Sequence, residues 1–276
     1  MIEAMRQRLF GVLAIACVAI SATAQDLYRQ NASDPVSMRT RITADIESYF
    51  YFDESQFYAL RPGYYYGLKS ERFLLGMSIP VVHNIFKGDY QGFENTTGIG
   101  DLRMSALYVP YFNEKTFGLS RVTVSMDVSA PTGEYKLGRG AGAWMYRPGV
   151  VLTYRPSPAL GFYPEVRFLF STEEVNSQGS SDGSPDPDDS EKDDKIQNLS
   201  ISLPFVAQLE DWDGWFAIHL MYSRAFVEST DYFFIRTDFG KMLGERTAAS
   251  LRISKYVAGQ PRLNVMVQAN FTWFMR

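Results

Sequence analysis

The residues able to do chemistry are ionisable side chains that recur at alternate positions of short, regularly patterned segments. Asp45 and Glu47 share one face of the stretch Arg41 to Phe52, and Arg61 lies on one face of the next segment. Asp101, Arg103, Asp127, Arg147, Glu165, Arg167, His219, Arg236 and Asp238 continue the series along the chain, and Arg41, Lys69 and Arg252 fit it too. A strand sends alternate side chains to opposite faces. These groups therefore share their face with Ser, Thr and Gly, while the intervening positions carry Ile, Leu, Val, Phe and Tyr. Charges of both signs on one face of a closed sheet have two uses. They line a water-filled passage and select solutes, or they pair into a ladder that fills a narrow interior. The sequence leaves both open.

Other chemistry is thinly represented. The two histidines, His83 and His219, have no serine two residues on, so the His-x-Ser arrangement of outer-membrane phospholipases is missing. His83 lies at a loop edge and His219 on the polar face. No residues cluster with metal-ligand spacing. Asp186-Pro187-Asp188-Asp189-Ser190-Glu191 lacks the glycine and spacing of a calcium loop. No catalytic residue, metal or cofactor is expected.

The elements that must carry the polar series are strands. The last is the clearest: Leu263, Val265, Val267, Ala269, Phe271 and Trp273 alternate with Asn264, Met266, Gln268, Asn270 and Thr272. About twelve such segments run from Arg41 to Phe274, separated by turn signals such as Asp211-Trp212-Asp213-Gly214. Pro62 is out of place within one of them, because proline cannot donate to a ladder. Connections after the odd-numbered strands include the three longest, beginning at His83, Pro131 and Glu173; most of the others are short. That parity is what a barrel with short periplasmic turns and long outer loops requires. Tyr and Trp also gather near strand ends, as at a membrane interface. The fold expected is all-β: a transmembrane antiparallel up-and-down β-barrel with its apolar face in lipid.

Composition agrees. With 46% hydrophobic residues in 276, the chain can cover a large lipid-facing surface, and polar lumen and loop residues bring the mean hydropathy near zero. Arg6 and Arg8, the apolar run Leu9 to Ile20, and Ala22-Thr23-Ala24 read as a secretory signal over residues 1–24. Cys17, the single cysteine, lies within that signal, so no disulfide is expected. Residues 25–39 are polar and aperiodic, and read as a periplasmic lead-in; a small plug is the alternative, though the segment has little to bury. Residues 40–276 read as the barrel. Within it, 173–195 holds nine acids against two lysines amid Ser, Gly and Pro, a composition that reads as a solvated outer loop. The chain's negative charge resides there. These features place the protein in the outer membrane of a Gram-negative bacterium. The partners expected are outer-membrane lipid and lipopolysaccharide, the barrel-assembly machinery and a small-molecule solute, with no nucleic acid.

At Gly98-Ile99-Gly100-Asp101 a strand starts, and a later one ends in Ala130-Pro131-Thr132-Gly133 before a glycine-rich loop. This arrangement resembles the outer-membrane barrel family named for the MetA pathway of phenol degradation, whose members are described as transporters or porins. The resemblance implies a channel or transporter for small solutes, hydrophobic or aromatic ones among them. A non-conducting structural or surface-binding barrel is the alternative. The chain departs from the usual terminal Phe of such barrels, since Met275 and Arg276 follow Phe274.

Overall fold

The computed structural model describes residues 26–68, 71–87, 95–113, 118–172, 196–227, 229–259 and 263–275. Among these, fifteen strand segments form one antiparallel sheet that closes on itself. They are β1 (Arg41–Tyr51), β2 (Gln56–Gly67), β3 (Phe73–Ser78), β4 (Val81–Ile85), β5 (Thr96–Ile99), β6 (Leu102–Phe112), β7 (Gly118–Ala130), β8 (Met145–Ser157), β9 (Leu160–Phe162), β10 (Glu165–Ser171), β11 (Gln197–Leu209), β12 (Gly214–Ala225), β13 (Thr230–Met242), β14 (Thr247–Gly259) and β15 (Leu263–Phe274). Closure is by β1 against β15, from Arg41 opposite Phe274 to Phe50 opposite Val265.

Three of the twelve barrel strands are interrupted: β3/β4, β5/β6 and β9/β10 are each one strand with a break. Prolines explain two of the breaks. In an antiparallel ladder a residue's N–H and C=O point to the same neighbour. Pro62 on β2 faces the gap between β3 and β4, where Pro80 sits, and only its carbonyl bonds there, accepting from Ile79 N at 3.3 Å. Pro204 on β11 likewise faces the gap between β9 and β10, beside Pro164, and accepts from Tyr163 N at 3.0 Å. Pro62 thus sits within a strand because the ladder opposite it is already open.

The outer face is mostly apolar. Ile46 is 59% exposed, Leu75 57% and Phe205 50%, whereas inward neighbours such as Glu47 and Ser125 are nearly covered. Only an apolar surrounding makes that arrangement favourable. Tyr66, Tyr108, Tyr154, Trp212 and Trp273 lie exposed at the end carrying the short turns, with Lys241 over the Trp212 ring.

Several boundaries differ from the sequence reading. His83 is not in a loop but on β4, facing outward, paired with Thr97 of β5; the connection spans only 86–95. The stretch Arg155-Pro156-Ser157-Pro158, which its two prolines mark as a turn in the sequence, instead continues β8 through Ser157, so the turn is 158–159. Residues 25–39 hold more than a lead-in: α1 (Asp26–Ser33) is a helix, and Val36 and Met38 after it are buried at 1% and 5% exposure. The apolar groups that cover them lie on the inner face of the barrel, where a reading based on a polar lumen does not look for them. The signal segment 1–24, Lys69 and the acidic stretch 173–195 lie outside the described residues.

Candidate functional site: the barrel interior

The interior is built in three tiers. The first, at the end with the long loops, is made by the connection 131–144, which folds inward. The Gly-x-Gly-Asp and Ala-Pro-Thr-Gly stretches lock together there. Thr132 Oγ1 donates to Gly100 O at 3.1 Å and accepts from Leu102 N at 2.8 Å. The Asp101 carboxylate accepts from Gly133 N at 2.9 Å and Ala141 N at 2.7 Å, clamping both ends of the loop. A side chain on Gly133 would collide with Arg139 O, and one on Gly140 with the Asp101 carboxylate, which is why glycine occupies both. Asn84 Nδ2 donates to Leu137 O and Gly138 O. Arg139 reaches Thr97 O at 3.0 Å and pairs with Glu134. The motif that carries the family resemblance is therefore the anchor of an inward-folded loop.

The second tier is the ionised belt. Arg61 holds Glu47 through two hydrogen bonds, at 3.0 and 3.1 Å, and Tyr49 Oη donates to the same carboxylate. Arg167 pairs with Glu165 and with Asp127, the latter at 2.8 Å. To reach Asp127 it must pass over β8, and it does so at Gly149, where a Cβ would lie 2.7 Å from Arg167 Cγ. Ser105 donates to the other Asp127 oxygen at 2.6 Å. Arg252 pairs with Asp238, directly across the β13–β14 ladder, at 2.6 Å. Asp45 accepts from Gln268 and Asn270, each at 2.8 Å. Arg236 donates to Ser254 at 3.2 Å and stands opposite His219 in the β12–β13 register. These partners lie on the same strand or on neighbouring strands, with Arg167 reaching one strand further. The pairs run along the wall instead of spanning the axis. Arg103 and Arg147 are different: among the described residues neither makes a hydrogen bond or ion pair. Both border a cavity of about 330 Å³ between the belt and the folded loop.

The third tier closes the opposite end. The segment from α1 to Thr40 crosses the mouth and touches strands around its circumference. Asp34, its carboxylate 2% exposed, pairs with Arg121 of β7 at 2.5 Å and Arg155 of β8 at 3.6 Å. Its other oxygen accepts from Val36 N. Gln208 of β11 donates to Ser33. Val36 packs in one buried cluster with Val151, Tyr163, Val206, Trp215, Ala217, Ala248 and Phe274, and Met38 in another with Leu74 and Val109. Phe274 thus points inward, against the plug, while Trp273 faces out. A second cavity of about 180 Å³ lies beneath, bordered by Arg41, Asp45 and Arg252.

The sequence reading assigned the belt residues to one face, held a plug ahead of the first strand only as an alternative, and did not find the inward-folded loop. Arg121 and Arg155 could have been added by continuing the alternation of β7 and β8 to their ends. Asp34 carries no such signal, since its segment has no period.

The sequence profile of the family described as "Putative MetA-pathway of phenol degradation" matches residues 24–208. A search of curated proteins finds no significant match. Among solved structures, the COG4313 outer membrane channel from Pseudomonas putida F1 superposes with a TM-score of 0.66 at 14% identity, covering 88% of this chain and 99% of that one. The NanC porin gives 0.54 at 10% identity, covering 86% and all of its own length. The KdgM porin, solved in complex with disordered oligogalacturonate, gives 0.53 at 10%, covering 86% and 99%. A closed twelve-stranded barrel, greasy outside and ionised within, has the fold of these outer-membrane proteins, and the chain belongs to the family of the MetA pathway of phenol degradation.

Proposed function

We propose that the chain is an outer-membrane channel for small solutes, aromatic ones among them. The observation that carries this reading is the belt of ion pairs running along the wall, which leaves the centre to a cavity lined by both apolar and charged groups. Twelve strands enclose more than the side chains of an eight-stranded barrel fill. Asp45, Glu47, Arg61, Asp101, Arg103, Asp127, Arg147, Glu165, Arg167, His219, Arg236 and Asp238 serve as its lining. Asp101 does so indirectly, by holding the folded loop. The likeness to the COG4313 channel and the porins supports the same reading, and those proteins are channels, not enzymes. In this setting residues 1–24 direct export and are removed. The short turns and α1 face the periplasm, the outer face meets lipid and lipopolysaccharide, and the assembly machinery inserts the barrel.

One observation favours a non-conducting barrel: the segment from α1 to Thr40 is docked across one mouth. Planar-bilayer recording of the purified mature protein separates the two. Discrete conductance steps support the channel. Their absence, together with unchanged solute uptake on deletion, overturns it.

A further inference from the structure

We propose that the 330 Å³ cavity is a binding site for a small organic anion with an apolar body, such as an aromatic carboxylate. This deepens the channel reading by naming its solute class. Four guanidiniums border the cavity, of Arg61, Arg103, Arg139 and Arg147, against two carboxylates, of Asp101 and Asp127. The bonding decides which of them are available. Asp101 is taken by two backbone amides of the folded loop. Asp127 is taken by Arg167 and Ser105, although it stands directly across the ladder from Arg147. Arg61 is committed to Glu47, and Arg139 to Glu134 and Thr97 O. Both acids are therefore satisfied by groups other than a ligand, and a cationic solute finds no free carboxylate at the cavity wall.

Arg103 and Arg147 remain. They flank β7: Arg103 opposes Ser129 on one side, and Arg147 opposes Asp127 on the other. Two strand spacings separate their backbones, roughly 10 Å, a gap that two extended arginine side chains close onto one carboxylate. A part-buried guanidinium without a hydrogen-bonded partner is costly, and an arriving carboxylate supplies two of them at once with charge-assisted bonds. Phe57, Val82 and Leu169 supply the apolar side of the same cavity, with the Phe57 ring held edge-on by Tyr49. The volume falls in the range of small-molecule sites, roughly 300–1,000 Å³.

The test uses the full mature barrel in detergent, with benzoate as the probe and titration calorimetry as the readout. Benzyl alcohol and benzylamine keep the ring and change the charge. The expected result is saturable benzoate binding, with both analogues and each of Arg103→Gln and Arg147→Gln weaker by roughly tenfold or more. Arg224→Gln, at a surface pair with Asp231, should bind as the parent does. Heat-modifiable gel migration confirms that each variant is folded. Benzyl alcohol binding as well as benzoate, wild-type affinity in both arginine variants, or no saturable benzoate binding overturns the assignment. Benzoate binding in a barrel that does not conduct upholds the site and removes the channel; conductance without benzoate binding does the reverse.

Discussion

Asp34→Ala should unlatch the N-terminal plug. In the docked state the Asp34 carboxylate lies 2.5 Å from Arg121 and 3.6 Å from Arg155. Removing it leaves two guanidiniums facing each other at the mouth, and Val36 N without its acceptor. Deleting one partner of a buried pair costs roughly 3–5 kcal/mol. Arg155 is 28% exposed, so water recovers part of this, and about 3 kcal/mol is the reasonable figure. The undocked state loses nothing comparable, because there both arginines are hydrated. The substitution therefore shifts the docking equilibrium by about two powers of ten. Val36 and Met38 still favour docking, so the plug should open more often without being lost. Asp34→Asn, whose single Oδ1 keeps the bond from Val36 N or the one from Arg121 but not both, should fall between. Single-channel recording reads the change as a higher open probability, and trypsin reads it as faster cleavage after Arg39. Unchanged open probability together with unchanged cleavage would refute the latch, provided gel mobility shows a folded barrel.

Three further experiments, with four substitutions, probe the architecture. Asp101→Ala removes two charge-assisted bonds, each worth roughly 1.5–3 kcal/mol, and should expose Lys136 and Arg139 to trypsin; continued protection would mean the loop is held without that carboxylate. Ile46→Arg places a charge midway along β1 on the outer face, and should cost about 2–4 kcal/mol in denaturant unfolding from lipid vesicles. An unmoved midpoint would mean that this face does not meet hydrocarbon. Glu54→Cys in the β1–β2 connection should react with an impermeant maleimide on intact cells and Glu245→Cys in the β13–β14 turn should not, and the opposite pattern would invert the proposed orientation.

The parts of this molecule that were legible in its sequence are those governed by a period of two. Glu47, Arg61, Asp127, Arg167 and Asp238 could be assigned to one face from spacing alone, because a strand offers only two faces and lipid disfavours ionised groups on the outward one. Pro62 resisted that reading because its neighbour's interruption, at Pro80, is a property of two strands together. The closures were illegible for a different reason. Asp34 and Val36 belong to a segment without periodicity, and their partners lie far along the chain, so nothing local announces that Val36 completes an apolar cluster or that Asp34 answers Arg121. Asp101 shows both situations. Spacing puts it in the polar series, yet its carboxylate belongs to the loop amides of Gly133 and Ala141 and is withheld from a passing solute. Spacing reports which way a side chain points; only the completed bonding says which charges are left over. Here that remainder is Arg103 and Arg147, and the balance of the cavity turns positive although the chain as a whole is acidic.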